Sequence, residues 1–168
     1  MLWRLTEGEE LPATIHPDVV VVLIGTNNIA PNTVESIALG IQDTIDVIHK
    51  KLPHTTILVN EIFPRYDEMV VKINKTKSVE KLNVLLRDFF VDHKSTNLRR
   101  DGISASDAIQ YLQCGSLFDP TPEQHADNGA ILVNVDLLPD KLHPNAAGME
   151  KWLTECVLPP ALAAMTMK

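Results

Sequence analysis

Residues Val19 to Ile24 read Val-Val-Val-Val-Leu-Ile, an unbroken apolar run dominated by β-branched side chains, and the run ends at Gly25-Thr26-Asn27-Asn28. It has neither the period of an amphipathic helix nor the alternation of a half-exposed strand, and suits a strand buried on both faces, as in a parallel sheet. Parallel strands need crossover connections, and the following residues supply one. Asn32 with Glu35 makes a capping-box-like start, after which Val34, Ile37, Ala38, Ile41, Ile45, Ile48 and Leu52 recur at helical spacing until Pro53. Thr56 to Phe63 reads as a second buried strand, ended by Pro64-Arg65.

A further helix is expected where Val79, Leu82, Leu85, Leu86, Phe89 and Phe90 share one face. From Asp101 to Gly129 the periodicity fades, with a helical turn expected over Ala108 to Leu112 and a short strand over Ile131 to Leu138. Pro144 and Asn145 introduce a last helix from Ala146 to Val157, with Trp152 and Leu153 turned inwards and Pro159-Pro160 closing it. Leu2, Trp3 and Leu5 begin a helical pattern with no capping residue in front. Strands alternating with helices imply a parallel α/β sheet flanked by helices, in one domain spanning 1–168. In such sheets function gathers at the carboxyl ends of the strands.

Charge narrows the partners. A net charge of −7 argues against nucleic acid or an anionic membrane surface, since both need a basic patch. No apolar run approaches the roughly 20 residues of a membrane helix, and no signal peptide opens the chain, so a cytoplasmic protein is expected. Cys114 and Cys156 lack zinc-site spacing and are read as free, structural thiols; the six histidines form no metal-clasping pair. No metal and no cofactor are expected.

Two short motifs carry chemistry. At the carboxyl end of the first strand, the amide of Asn27 is placed to donate to an oxyanion; the plainer alternative is a turn in which Asn27 or Asn28 is left-handed or bonds its own backbone. In Asp140-Lys141-Leu142-His143-Pro144-Asn145, a carboxylate three residues before a histidine can hold imidazole Nδ1–H and leave Nε2 to take a hydroxyl proton. Asp140 as a solvated loop acid and His143 as a partly buried residue before a helix is the alternative there. Ser104, Ser106 and Ser116 follow no buried strand, and Gly115-Ser116 reads as a turn.

In order and spacing, strand, Gly-Thr-Asn-Asn, helix and then Asp-x-x-His before the last helix, the chain resembles the SGNH, or GDSL-type, ester hydrolases. Leu2-Trp3-Arg4-Leu5, the Val19–Asn28 stretch, Ile62-Phe63-Pro64-Arg65 and the segment from Asp140 to Trp152 are similar to the branch that includes the catalytic subunits of intracellular platelet-activating factor acetylhydrolase.

The resemblance implies a three-layer α/β/α, flavodoxin-like fold and hydrolysis of an acetyl or short-acyl ester, a small ester or lipid-like molecule being the substrate. It implies Asn27 as oxyanion donor, placed by Gly25, His143 as general base and then acid, and Asp140 as its orienting carboxylate. It also implies dimerisation, homo- or heteromeric, with related subunits. The family's Gly-Asp-Ser nucleophile turn and its second oxyanion glycine have no counterpart in these 168 residues. The expectation is therefore an N-terminally truncated hydrolase, inactive alone, with Val19–Ile24 left as a sheet edge; the alternative is a non-catalytic homologue acting as a binding or regulatory subunit.

Overall fold

The computed structural model describes residues 1–8, 10–11, 14–29, 31–66, 75–91, 108–126 and 133–166. Among them, three parallel strands lie in the order β1 (Val19–Val22), β2 (Thr56–Asn60), β3 (Ile109–Leu112), with β1 on one edge. The registers run Val19 opposite Thr56 and Ile57 opposite Ile109.

Successive side chains of a strand point to opposite faces, and the two faces collect two cores. Val20, Val22, Ile57, Val59, Ile109 and Tyr111 face α2 (Val34–Lys51) and α3 (Lys75–Phe90), meeting Ile41, Ile45, Ile48, Val79, Leu82 and Leu86. Val19, Leu58 and Leu112 face the other way, onto Phe118, Val133, Leu138, Trp152 and Val157 around α5 (Ala146–Trp152) and α6 (Leu158–Thr166). This is a three-layer α/β/α arrangement. The short α1 (Leu2–Thr6) packs on α2 through buried Leu5, whose carbonyl accepts from Lys51 Nζ. As the bare sequence start suggested, no side chain caps α1.

The first two strands and the two long helices that follow them are present with adjusted bounds. Thr33, not Asn32, caps α2, its Oγ1 accepting from Ser36 N at 3.2 Å, while Asn32 N donates to Asn28 O. The helix stops at Leu52, because a residue before proline is pushed out of the helical region. Strand β2 ends at Asn60 rather than Phe63: the side-chain amide of Asn83 on α3 takes over both backbone groups of Ile62, at 2.9 and 2.8 Å.

Five expectations are corrected. Ile109–Leu112 is a strand, not a helical turn, since β2 presents an unpaired edge whose ladder outweighs what one isolated helical turn offers. The described residues of the expected strand over Ile131 to Leu138 form turns instead: Asn134 Oδ1 accepts from Asp136 N, and its carbonyl from Leu138 N; positions 131 and 132 lie outside the described residues.

Pro159-Pro160 does not close the last helix. Leu153–Val157 forms a π-helical turn in which Leu158 N reaches back to Leu153 O, and the two prolines, lacking N–H groups, occupy the first turn of α6. Trp152 points inwards as expected, but Leu153 is exposed. Cys114 and Cys156 are not free thiols: they form a disulfide tying the exit of β3 to the π-helical turn, across 42 residues of sequence.

Candidate active site

The first part of the site is built by the exit from β1. Gly25 has φ +118°, a left-handed backbone, and a Cβ there would come within 3.1 Å of Ile41 Cδ1 and 3.3 Å of Ile62 Cδ1. Conformation and space both call for glycine. Thr26–Asn28 then forms a 3₁₀ turn, closed by Asn28 N to Gly25 O at 2.9 Å and anchored by buried Ile29.

Gly25 alone in this turn is left-handed, so neither Asn27 nor Asn28 takes the left-handed conformation that the plainer reading allowed. The Asn27 side chain is exposed and makes no hydrogen bond among the described residues, so its amide is available to an external acceptor.

The second part precedes α5. Lys141 N bonds Leu138 O at 2.8 Å and Lys141 takes φ +62°, turning the chain so that one carboxylate serves three donors. Asp140 Oδ1 accepts from the backbone N–H groups of Leu142 at 3.0 Å and His143 at 2.7 Å, while Oδ2 meets His143 Nδ1 at 2.6 Å. The backbone N–H of His143 first, then its ring and the Leu142 N–H, pull the Asp140 carboxyl down to about 2. An ionised carboxylate only accepts, so Nδ1 carries a proton, and in the neutral ring Nε2 presents its lone pair. Both side chains are largely exposed, 70% for His143 and 55% for Asp140.

The start of α5 fixes the position of His143. Asn145 caps the helix, its Oδ1 accepting from Gly148 N at 2.9 Å and its Nδ2 donating to Asp136 O at 2.7 Å. A Cβ on Gly148 would lie 2.7 Å from Leu137 O and 3.3 Å from Phe118 Cε1, so α5 seats closely beneath the loop.

The two parts meet through residues to which the sequence assigned no role. Arg65 is buried, and its Nη1 donates to Thr26 O at 2.8 Å and Thr26 Oγ1 at 3.1 Å. Its neighbour Tyr66 donates its backbone N–H to Lys141 O at 3.1 Å, with Lys141 Nζ 5.2 Å from the Tyr66 ring centre. The only signal was the Ile-Phe-Pro-Arg stretch itself. Asp140 and His143 are thus in direct contact, whereas Asn27 reaches them through its turn and no direct hydrogen bond joins it to either.

Beyond β3, Gly115–Phe118 is a 3₁₀ turn, as expected for Gly115-Ser116, with Ser116 exposed and Gly115 N donating to Glu61 Oε1. Burial pushes the Glu61 carboxyl up, against the pull of that N–H. Ser104 and Ser106 lie outside the described residues. Among the described residues no group of three or more His, Cys, Asp or Glu side chains is arranged to hold a metal ion, and no helix is long and apolar enough to cross a membrane.

The GDSL-like lipase/acylhydrolase family model matches residues 3–151. The human platelet-activating factor acetylhydrolase IB subunit alpha2 is 37% identical over 82 residues, covering 49% of this chain and 34% of the relative. The alpha1 subunit from Pongo abelii is 31% identical over 123 residues, 70% of this chain and 52% of the relative. The chain therefore spans about a third to a half of the length of the relatives it matches.

Proposed function

As this chain belongs to the GDSL-like lipase/acylhydrolase family, we propose that it carries the base and oxyanion side of a serine ester hydrolase acting on acetyl or short-acyl esters. The observation that carries this reading is the Asp140–His143 contact, with Nδ1 held at 2.6 Å by a carboxylate that stays ionised.

In the reaction, His143 Nε2 takes the proton of an attacking serine hydroxyl as its oxygen bonds the acyl carbon. Negative charge then gathers on the former carbonyl oxygen, to which the Asn27 amide donates. His143 next delivers the proton to the departing alkoxide, leaving an acyl-serine that water hydrolyses by the same base. Asp140 holds the ring in the tautomer this requires. Residues 1–168 form a single hydrolase-type domain in this proposal, and assembly with a second related subunit belongs to it too.

The 168 residues contain no Gly-Asp-Ser turn. The chain as it stands is therefore expected to resist serine-directed fluorophosphonate labelling and to leave p-nitrophenyl acetate at background hydrolysis. The deciding experiment places a strand and Gly-Asp-Ser turn of the kind the family resemblance implies ahead of Met1. One serine then labels, esterase activity appears, and His143→Ala lowers it by about 10³-fold or more. Activity that survives His143→Ala overturns the assignment; a folded, dimerising hybrid with no activity supports a non-catalytic subunit, the reading favoured by the missing turn.

The proposal places the protein in the cytoplasm. A Cys114–Cys156 bond sits uneasily there, since cytosolic thiols are kept reduced. Alkylation of the two cysteines in freshly lysed cells decides the point.

A further inference from the structure

We propose that Arg65 is a positioning residue for the oxyanion turn, and that with Tyr66 it forms a strut setting the turn that bears Asn27 against the loop that bears His143. The inference rests on the proposed roles of Asn27 and His143, but its geometry and its test do not depend on turnover.

The turn needs such a support. Within Thr26–Asn28 the closing bonds are local, Asn28 N to Gly25 O at 2.9 Å and Ile29 N to Thr26 O at 3.3 Å, and Asn27 itself is exposed. Nothing in those two bonds fixes the turn relative to the rest of the site. The Arg65 guanidinium does so: one nitrogen donates to both the carbonyl and the hydroxyl of Thr26, at 2.8 and 3.1 Å, so the turn is held at two atoms of the residue next to Asn27. A guanidinium stays charged at any working pH, and its bonds to neutral acceptors are charge-assisted.

The other end of the strut is equally defined. The Arg65 carbonyl accepts from Thr76 Oγ1 at 2.8 Å, which fixes the dipeptide to α3. The next residue, Tyr66, bonds Lys141 O at 3.1 Å, and Lys141 is the left-handed residue that lets Asp140 reach His143. Two consecutive residues thus grip both loops, each at a position adjoining a functional side chain. Oxyanion donors act through preorganisation, so a donor that wanders by an ångström loses much of its effect without any change in the donor itself.

The test uses the 168-residue chain and NMR. In Arg65→Ala, amide exchange at Asn28 and Ile29 is expected to accelerate about tenfold or more, as expected for a segment released into local opening. The Asn27 side-chain amide signals shift, while the His143 ring signals and exchange within Ile57–Asn60 stay as in the parent. Millimolar guanidinium chloride restores the Asn27 signals.

Acceleration spread evenly through β2 marks a merely structural role and overturns the proposal, as does an unchanged turn. Should Arg65→Ala fail to fold, Thr26→Val and Arg65→Lys take its place. The first deletes only the hydroxyl acceptor and the second keeps the charge on a shorter stem, and a local effect at Asn27 and Asn28 is required of both. Loss of the His143 assignment in the hybrid enzyme leaves these signals untouched, so the two failures are distinguishable.

Discussion

Asp140 divides its carboxylate between two parts of the same partner: Oδ1 accepts the backbone N–H of His143 at 2.7 Å and Oδ2 meets the ring Nδ1 at 2.6 Å. Asp140→Asn keeps an acceptor for the backbone, but the group facing Nδ1 becomes a donor when the amide oxygen stays on the backbone side. The ring then moves its proton to Nε2, the atom that must be free to act as base. We expect the variant to fold as the parent, its ¹⁵N spectrum to show an Nε2–H tautomer at His143, and the hybrid enzyme to lose on the order of 10³ to 10⁴-fold in kcat. An unchanged tautomer contradicts this account.

The same geometry sets a titration. Asp140 is held at about 2 against an ordinary 3.8, principally by the His143 N–H and then by its ring. Because the folded value is the lower one, the stabilisation is complete above the ordinary value and is lost as pH falls towards about 2. A ¹³C carboxyl titration should find the midpoint there. In His143→Ala the ring partner goes but both backbone donors stay, so the midpoint should rise only part of the way, and a full return to the ordinary value would show the ring to be the dominant partner.

Gly148 connects helix and loop. A Cβ at this position lies 2.7 Å from Leu137 O, a backbone atom that cannot swing aside, and 3.2 Å from Pro144 Cβ. Gly148→Ala is therefore expected to cost about 1–3 kcal/mol, as overpacking does, despite the higher helix propensity of alanine. Urea unfolding measures the cost, and the His143 ring signals should shift because Pro144 is its immediate neighbour. A neutral or stabilising result means the loop can yield.

Much of this was legible in the sequence because local rules and tertiary structure agree. The β-branched run of Val19 onward, the spacing of Ile37, Ile41, Ile45 and Ile48, and the Asp140–His143 interval each specify their outcome over a few residues. Where the two disagree, tertiary pairing decides: Ile109–Leu112 is strand because β2 lies beside it, and α6 continues through Pro159 because the π-helical turn removes the need for its N–H. Arg65 was silent for another reason. Its partner Thr26 is 39 positions away, and no spacing rule links a residue after one strand to the turn after another. The cysteine pair, separated by 42 residues, was hidden in the same way.

That pair supports a stability prediction. Closing a loop of 42 residues restricts the unfolded chain by about 4 kcal/mol in the chain-entropy model. The native chain should show no thiol to Ellman's reagent, and reduction should lower the urea midpoint accordingly. Cys114→Ser/Cys156→Ser should match the reduced parent; if it matches the oxidised one, the bond does not form in solution.

Strand β1 has one open edge among the described residues, pairing there on one side only, with β2, and Val21 is 39% exposed. No proline, lysine or bulge interrupts Val19–Val22, and exposed Met1 and Trp3 add apolar surface. Such an edge offers unpaired N–H and C=O groups to another chain, and natural proteins commonly blunt it with a charge. We expect the 168-residue chain to self-associate at micromolar concentration. Val21→Lys should shift it towards monomer in analytical ultracentrifugation, with little effect on Tm, because Val21 is already partly in water. A monodisperse parent that melts cooperatively contradicts the prediction, and association that survives Val21→Lys places the contact elsewhere on the molecule.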